Sequence, residues 1–161
     1  MTILAPMPAE AYPAFFEAAV AFYAAESTAG GRWRAEEALG LARAETERML
    51  GQGLQTPDHH IFEILVAAEQ EPVGYIWFAA LSRGTVKVAH VVQLKVNSEF
   101  QRQGHGRSAL NLVEQRARDM GLSGMALLVF AHNPGAQALY ESVGYKVSSV
   151  NMIKPFAEND A

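Results

Sequence analysis

Three strand-length runs follow one another between residues 61 and 96, and the breaks between them leave no room for a helix. Ile61–Ala68, Val73–Leu81 and Val86–Val96 are rich in β-branched and aromatic residues, with turns at Glu71-Pro72 and Ser82-Arg83-Gly84. Neighbouring strands joined so tightly run antiparallel, because a parallel return needs a crossover of a dozen or more residues. The centre of the fold is therefore an antiparallel meander, and everything else must pack around it.

On either side the apolar period changes from two to about three and a half. Tyr12, Phe15, Phe16, Ala19, Phe22 and Tyr23 predict a helix from Pro13 that Gly30-Gly31 closes. A second helix is expected over Ala35–Leu50, with Leu39, Ala42, Thr46 and Met49 on one stripe. A third is expected over Gly104–Met120, with Leu110, Val113, Ala117 and Met120 inward, and a short one over Pro134–Val143. Further strands are expected at Thr2–Ala5, at Met125–Phe130 as a buried strand, and at Tyr145–Met152. This order reads as one α+β domain over residues 1–161: a three-layer arrangement of a mixed, mostly antiparallel sheet of about six or seven strands, with helices on both faces.

The chain of 161 residues is half apolar and 19% charged, an ordinary globular composition that excludes disorder and collagen-like repeats. No apolar run reaches the roughly 18 residues of a membrane span, and the N-terminus lacks the basic-then-apolar pattern of a signal peptide. Cysteine is absent, which removes thiolate metal sites and cysteine nucleophiles and fits a cytoplasmic protein. A net charge of −4 argues against nucleic-acid binding, and nothing points to a membrane partner. The charge is uneven: residues 1–80 hold 4 Lys and Arg against 11 Asp and Glu, whereas residues 81–161 hold 9 against 6. That asymmetry suits two ligands of opposite sign, and equally a solvated surface.

The most specific stretch is Gln101-Arg102-Gln103-Gly104-His105-Gly106, between a strand and a helix. Glycines let a ligand approach the backbone, and the N–H groups opening a helix attract an anion. A strand-to-helix turn could also need glycine for its own geometry. Gly104, Gly106 and Ala109 match the dinucleotide fingerprint G-x-G-x-x-G/A, but that reading fails. Seven residues separate Val96 from Gly104, and Met125–Phe130 lacks the acidic residue that would hold a ribose.

Leu94-Lys95-Val96 followed by Gln101-x-x-Gly104-x-Gly106 resembles the acyl-CoA motif of the GNAT acetyltransferase superfamily, Q/R-x-x-G-x-G/A. Asn133-Pro134-Gly135-Ala136-Gln137-Ala138-Leu139-Tyr140-Glu141-Ser142-Val143-Gly144-Tyr145 is similar to that family's second signature, and the order of elements agrees over essentially the whole chain. The resemblance implies a GNAT-like acyltransferase fold and acetyl-CoA as co-substrate, with no metal. It places the pyrophosphate on the turn formed by Gln101, Arg102, Gln103, Gly104, His105, Gly106 and Arg107. Ser108 could add a hydroxyl, or simply lie on the helix surface. The backbone of Leu94 and Val96 would pair with the pantetheine arm, and the Leu94 N–H would polarise the thioester carbonyl.

The same resemblance makes Tyr140 the acid that protonates the leaving thiolate, packing of its ring against the core being the lesser alternative. Asn133 would contact the cofactor; just before Pro134 it is also a natural helix N-cap. Relatives carry a base eleven residues before the first motif residue, which in this sequence is His90 rather than Glu. Imidazole titrates in the useful range, so the activity limb it controls is expected near ~6.5 to 7.5; a half-buried strand histidine is the plainer alternative. Glu63, His59 and His60 stand in reserve, and His132 reads as structural or pocket-lining. His59-His60, adjacent on a strand, cannot chelate together. The implied reaction is direct acetyl transfer in a ternary complex to a primary amine, a small cationic amine or a peptide N-terminus. A GNAT-like acyl-CoA-binding sensor or partner domain without turnover is the alternative. The residues leave the acceptor, the acyl length and the oligomeric state open, a homodimer being the family habit.

Overall fold

The computed structural model describes residues 1–69 and 71–156. Five strands form one sheet in sequential order: β1 (Thr2–Pro6), β2 (His59–Val66), β3 (Gly74–Arg83), β4 (Val86–Val96) and β5 (Met125–Leu127). The first four pair antiparallel, and β5 joins β4 in parallel through Ala89↔Met125, His90↔Ala126 and Val91↔Leu127. The crossover that makes this parallel pair is helix α3 (His105–Asp119), as the long connection requires. Helices α1 (Tyr12–Ala29) and α2 (Ala35–Met49) precede the meander, and α4 (Pro134–Ser142) follows β5.

The sheet is buried on both faces, so its central strand reads as a continuous apolar run. Tyr75 and Trp77 of β3 point to α1, where they meet Phe15 and Ala19. Ile76 and Phe78 point the other way, to Leu110, Val113 and Ala117 of α3. Trp77, Ile76 and Phe78 are at most 1% exposed; burying side chains of this size contributes about 1.5–3 kcal/mol each. Ala38 and Ala42 of α2 close on Val20 and Ala24 of α1 as a third cluster. Leu39, expected inward, is 61% exposed, because the buried stripe of α2 runs through Ala38, Ala42 and Thr46 instead. Met120 likewise lies outside the core: it is the C-cap of α3, where Gly121 at φ +76° turns the chain away.

The strand count corrects the expectation of six or seven. Residues 145–156 form no helix or strand: after the Tyr145 N–H bonds the Tyr140 carbonyl at 3.0 Å, no backbone hydrogen bond of this segment is made to the described residues. Its pattern favours a strand, but a strand exists only where an edge pairs with it. The expected strand Met125–Phe130 is paired over three residues only, and those are half-buried.

Candidate functional site

The pairing of β4 with β5 stops at Val91 and Leu127, while β4 runs on to Val96. At the same place β4 carries a bulge: Trp77 pairs with Gln93 and Phe78 with Val91, so Val92 is the extra residue. Val92 and Gln93 both face α1, and Leu94 and Val96 face the α3 side. The Asn97 N–H bonds the Val73 carbonyl at 2.8 Å, which fixes the parity of the strand. Strand alternation then turns the N–H and C=O groups of Leu94 and Val96 away from β3, into the gap that β5 leaves. The Val96 carbonyl is already taken by the Gln101 side-chain amide at 2.8 Å.

Gln93 pins this opening. Its buried side chain accepts from the Tyr75 hydroxyl at 2.7 Å and donates to the Ala19 carbonyl at 2.9 Å, tying α1 to the bulge. Both ends of the amide are satisfied, as burial demands.

Beyond β4, Arg102 and Gly104 take left-handed backbone angles of φ +63° and +86°, and Gly104 is the N-cap of α3. The first helical N–H with an acceptor is that of Ser108, on the Gly104 carbonyl at 3.0 Å. The N–H groups of His105, Gly106 and Arg107 have no partner among the described residues. Alternating left-handed residues ahead of a helix N-terminus make a concave array of donors suited to an anion. The turn's side chains mostly hold the turn itself. Gln103 donates to the Glu99 carbonyl, His105 Nδ1 pairs with the Thr2 hydroxyl at 3.0 Å, and Arg107 donates to the Ser142 hydroxyl at 3.0 Å. Gly106 packs beside Leu139, Leu94 and Val96, where a Cβ would make only ordinary contact, 3.4 Å from Leu139 Cδ2.

His90 sits one residue before the strands part and faces α1. Its Nδ1 is buried with no partner among the described residues. Burial, with the Arg83 charge nearby, holds the imidazole below its ordinary range, so it is neutral at pH 7. Tyr140 of α4 packs on the α3 side of the sheet. Its phenol is pushed up by burial and then by the negative charge of Glu26, so it keeps its proton. Glu26 comes from the last turn of α1 and lies 3.4 Å from Nε2 of His132, whose ring stacks on Phe130 at 5.5 Å. Phe130 in turn lies against Gly30, where a Cβ would stand 2.8 Å from the ring. The segment after β5 thus crosses to the C-terminal end of α1. Asn133 is a true N-cap, accepting from the Ala136 N–H at 3.1 Å, so its side-chain oxygen is committed.

The model of the acetyltransferase (GNAT) family matches residues 32–145. The chain belongs to this family. It is 32% identical over 155 residues to the uncharacterised N-acetyltransferase YycN of Bacillus subtilis strain 168, covering 96% of this chain and 99% of the relative. The crystal structure of that putative acetyltransferase superposes with a TM-score of 0.91 at 30% identity, covering 98% of this chain and all of that one. AAC(6')-Iy in complex with the bisubstrate analogue CoA-S-monomethyl-acetylneamine shares the fold at a TM-score of 0.62 and 12% identity, over 98% of this chain and 99% of that one.

Acetyltransferases of this family use acetyl-CoA as co-substrate, and the residues present fit it. The array of free N–H groups at 105–107 suits a pyrophosphate, and the edge left open at Leu94 and at the Val96 N–H suits an amide-bearing arm. Of the reserves, His59 faces α1 and accepts from Trp77 Nε1 at 3.0 Å, whereas His60 lies on the other face, stacked on Phe78 at 4.8 Å. Glu63 pairs with Tyr75, whose row continues to Lys95 between Leu94 and Val96, so it lies in a row of the opening, two strands away from β4. Among the described residues no three His, Asp or Glu side chains gather to hold a metal ion, and no helix is long and apolar enough to cross a membrane. The sequence reading missed Gln93 and Glu26. Gln93 carried a signal, a lone amide in an apolar strand; Glu26 carried none, being one of several acidic residues along a helix.

Proposed function

We propose that this acetyltransferase transfers acetyl from acetyl-CoA to a primary amine that carries positive charge, by direct attack within a ternary complex. The observation that carries the reading is the parting of β4 from β5 beside His90, with Tyr140 on the opposite face. A thioester in that gap has a proton acceptor on one side and a proton donor on the other. His90 takes one proton from the ammonium and passes it to solvent, the amine nitrogen bonds to the carbonyl carbon, and the nitrogen sheds its second proton to His90 as the intermediate collapses. The Leu94 N–H stabilises the developing oxyanion. As the C–S bond breaks, Tyr140 gives its phenolic proton to the thiolate and recovers it from solvent. The atoms balance as an acetylated amine, free coenzyme A and one proton released to solvent.

Glu26, paired with His132, lies near enough to act on the phenol by its charge, and the carboxylate supplies the negative charge that favours a cationic acceptor. The test is release of coenzyme A thiol across a panel of cationic and neutral amines, beside calorimetric titration with coenzyme A. Thiol release with cationic amines supports the reading. Tight coenzyme A binding without release by any amine, peptide N-termini included, would replace it with the sensor reading.

A further inference from the structure

We infer that the acceptor is a zwitterion, an amine that also bears a carboxylate, and that Lys95 binds that carboxylate. This deepens the acetyl transfer to an amine proposed above and rests on it. The amine reaches the thioester from the α1 face, because His90 faces that way. Lys95 faces the same way: it pairs with Tyr75, which packs against α1, and cross-strand partners share a face. It directly follows Leu94, so its side chain starts about 3.3 Å along the strand from the residue at the opening.

Helix α1 runs over this place. Phe15, Ala19, Phe22 and Glu26 are spaced by four, three and four residues and share one side of the helix. Phe15 and Ala19 pack on the sheet, and Glu26 meets His132 beyond β5. Phe22, between them, lines an open pocket of about 360 Å³ together with Lys95, Asn97 and Glu99. Small-molecule sites start at roughly 300 Å³, so the space suits a ligand of amino-acid size.

Lys95 is a cation without an anion: among the described residues no carboxylate lies within 4.0 Å of its ammonium. Glu63, in the same row, is two strands away with Tyr75 between them. Glu99 lines the same pocket, where its carboxylate accepts from the Ser98 hydroxyl at 3.3 Å rather than from Lys95. A pocket with one charge of each sign, left unpaired, complements a ligand that bears both. Helix α1 carries no Lys or Arg, so a carboxylate held under it finds its partner on β4. Lys95 is half-buried, and a pair formed there is screened less than one in open solvent.

The experiment measures thiol release from saturating acetyl-CoA with the standard α-amino acids, β-alanine and γ-aminobutyrate. Each is set beside its own amide, which keeps the amine and lacks the carboxylate. Calorimetric titration of the same pairs onto protein loaded with coenzyme A runs in parallel. The best acid should show a KM about tenfold or more below that of its amide, the worth of a charge-assisted bond. Lys95→Gln should bring that ratio to about one, Lys95→Arg should keep it, and the KM for acetyl-CoA should not move in either. Amides used as well as acids by the parent would overturn the inference, as would a ratio that survives Lys95→Gln. A raised KM for acetyl-CoA in place of lost discrimination would give Lys95 to the cofactor and overturn it too. Should no amine release thiol, the transferase reading falls and calorimetry alone decides: acids held more tightly than amides through Lys95 uphold the inference, and equal binding overturns it. Lys95→Met, which keeps the apolar stem, takes the place of Lys95→Gln if that protein does not fold.

Discussion

At the scale of single residues, the proposed transfer needs control of two protons, and burial serves for both. In the proposed reaction Tyr140 must reach the thiolate still protonated, and burial with the Glu26 charge raises its pKa in that direction. Tyr140→Phe keeps the ring and its packing but removes the proton, so kcat should fall ~10²-fold with the affinity for coenzyme A nearly unchanged. Full turnover in that variant would assign reprotonation to water. His90 must be neutral to accept a proton, and burial lowers its pKa below the ordinary imidazole value of 6.5. Its limb of the kcat/KM profile therefore rises below ~6.5 rather than across 6.5 to 7.5, with a flat region above it. His90→Ala should lower the rate and erase that limb; an unchanged profile would place the base elsewhere. Glu26→Gln should raise KM for a cationic amine about tenfold and leave a neutral amine unaffected, because only the charged acceptor loses an ionic partner.

At the scale of elements, the site exists because two strands start together and separate. The bulge at Val92 and the Gln93 amide hold β4 to β3 and α1 while β5 leaves. Gly74 is what allows β3 to lie so close to the end of β4, since a Cβ there would stand 2.1 Å from the Lys95 carbonyl and 2.9 Å from Val96 Cα. Gly74→Ala should therefore cost ~2–4 kcal/mol of stability, read as a lowered midpoint in urea, and should disturb coenzyme A binding through Leu94 and Val96. A Cβ at Gly104 meets nothing within 4 Å, but its φ of +86° penalises any side chain. Gly104→Val should weaken coenzyme A binding by unfolding the donor array from its left-handed turn rather than by collision; titration with coenzyme A checks this, and unchanged affinity in a folded variant would remove the pyrophosphate from this turn. Arg102, itself at φ +63°, contributes a screened charge, so Arg102→Ala should mainly reduce the salt dependence of binding.

At the scale of the whole molecule, His59, His60 and His90 are all held below the ordinary imidazole range, with burial the largest cause. Below pH ~6.5 the unfolded chain binds more protons at these positions than the folded one. Stability is thus fully present above that pH and is lost as pH falls through it, so the melting temperature should be flat from about pH 7 to 9 and decline towards pH 5; a rise on acidification would contradict the buried, neutral histidines. The sequence by itself determined the meander, four helices close to their observed limits and the glycine turn, because periodicity, turn residues and a left-handed glycine are local properties of the chain. It also placed Tyr140 and His90 on their elements. It could not show on which side the Asn133 amide would be spent, that Val92 would be a bulge, or that Glu26 would come to rest beside His132, since each depends on residues dozens of positions apart meeting in space. The segment after Tyr145 shows the same limit most plainly: its pattern is that of a strand, but a strand is made by an edge, and only the tertiary structure reveals which edge is bare.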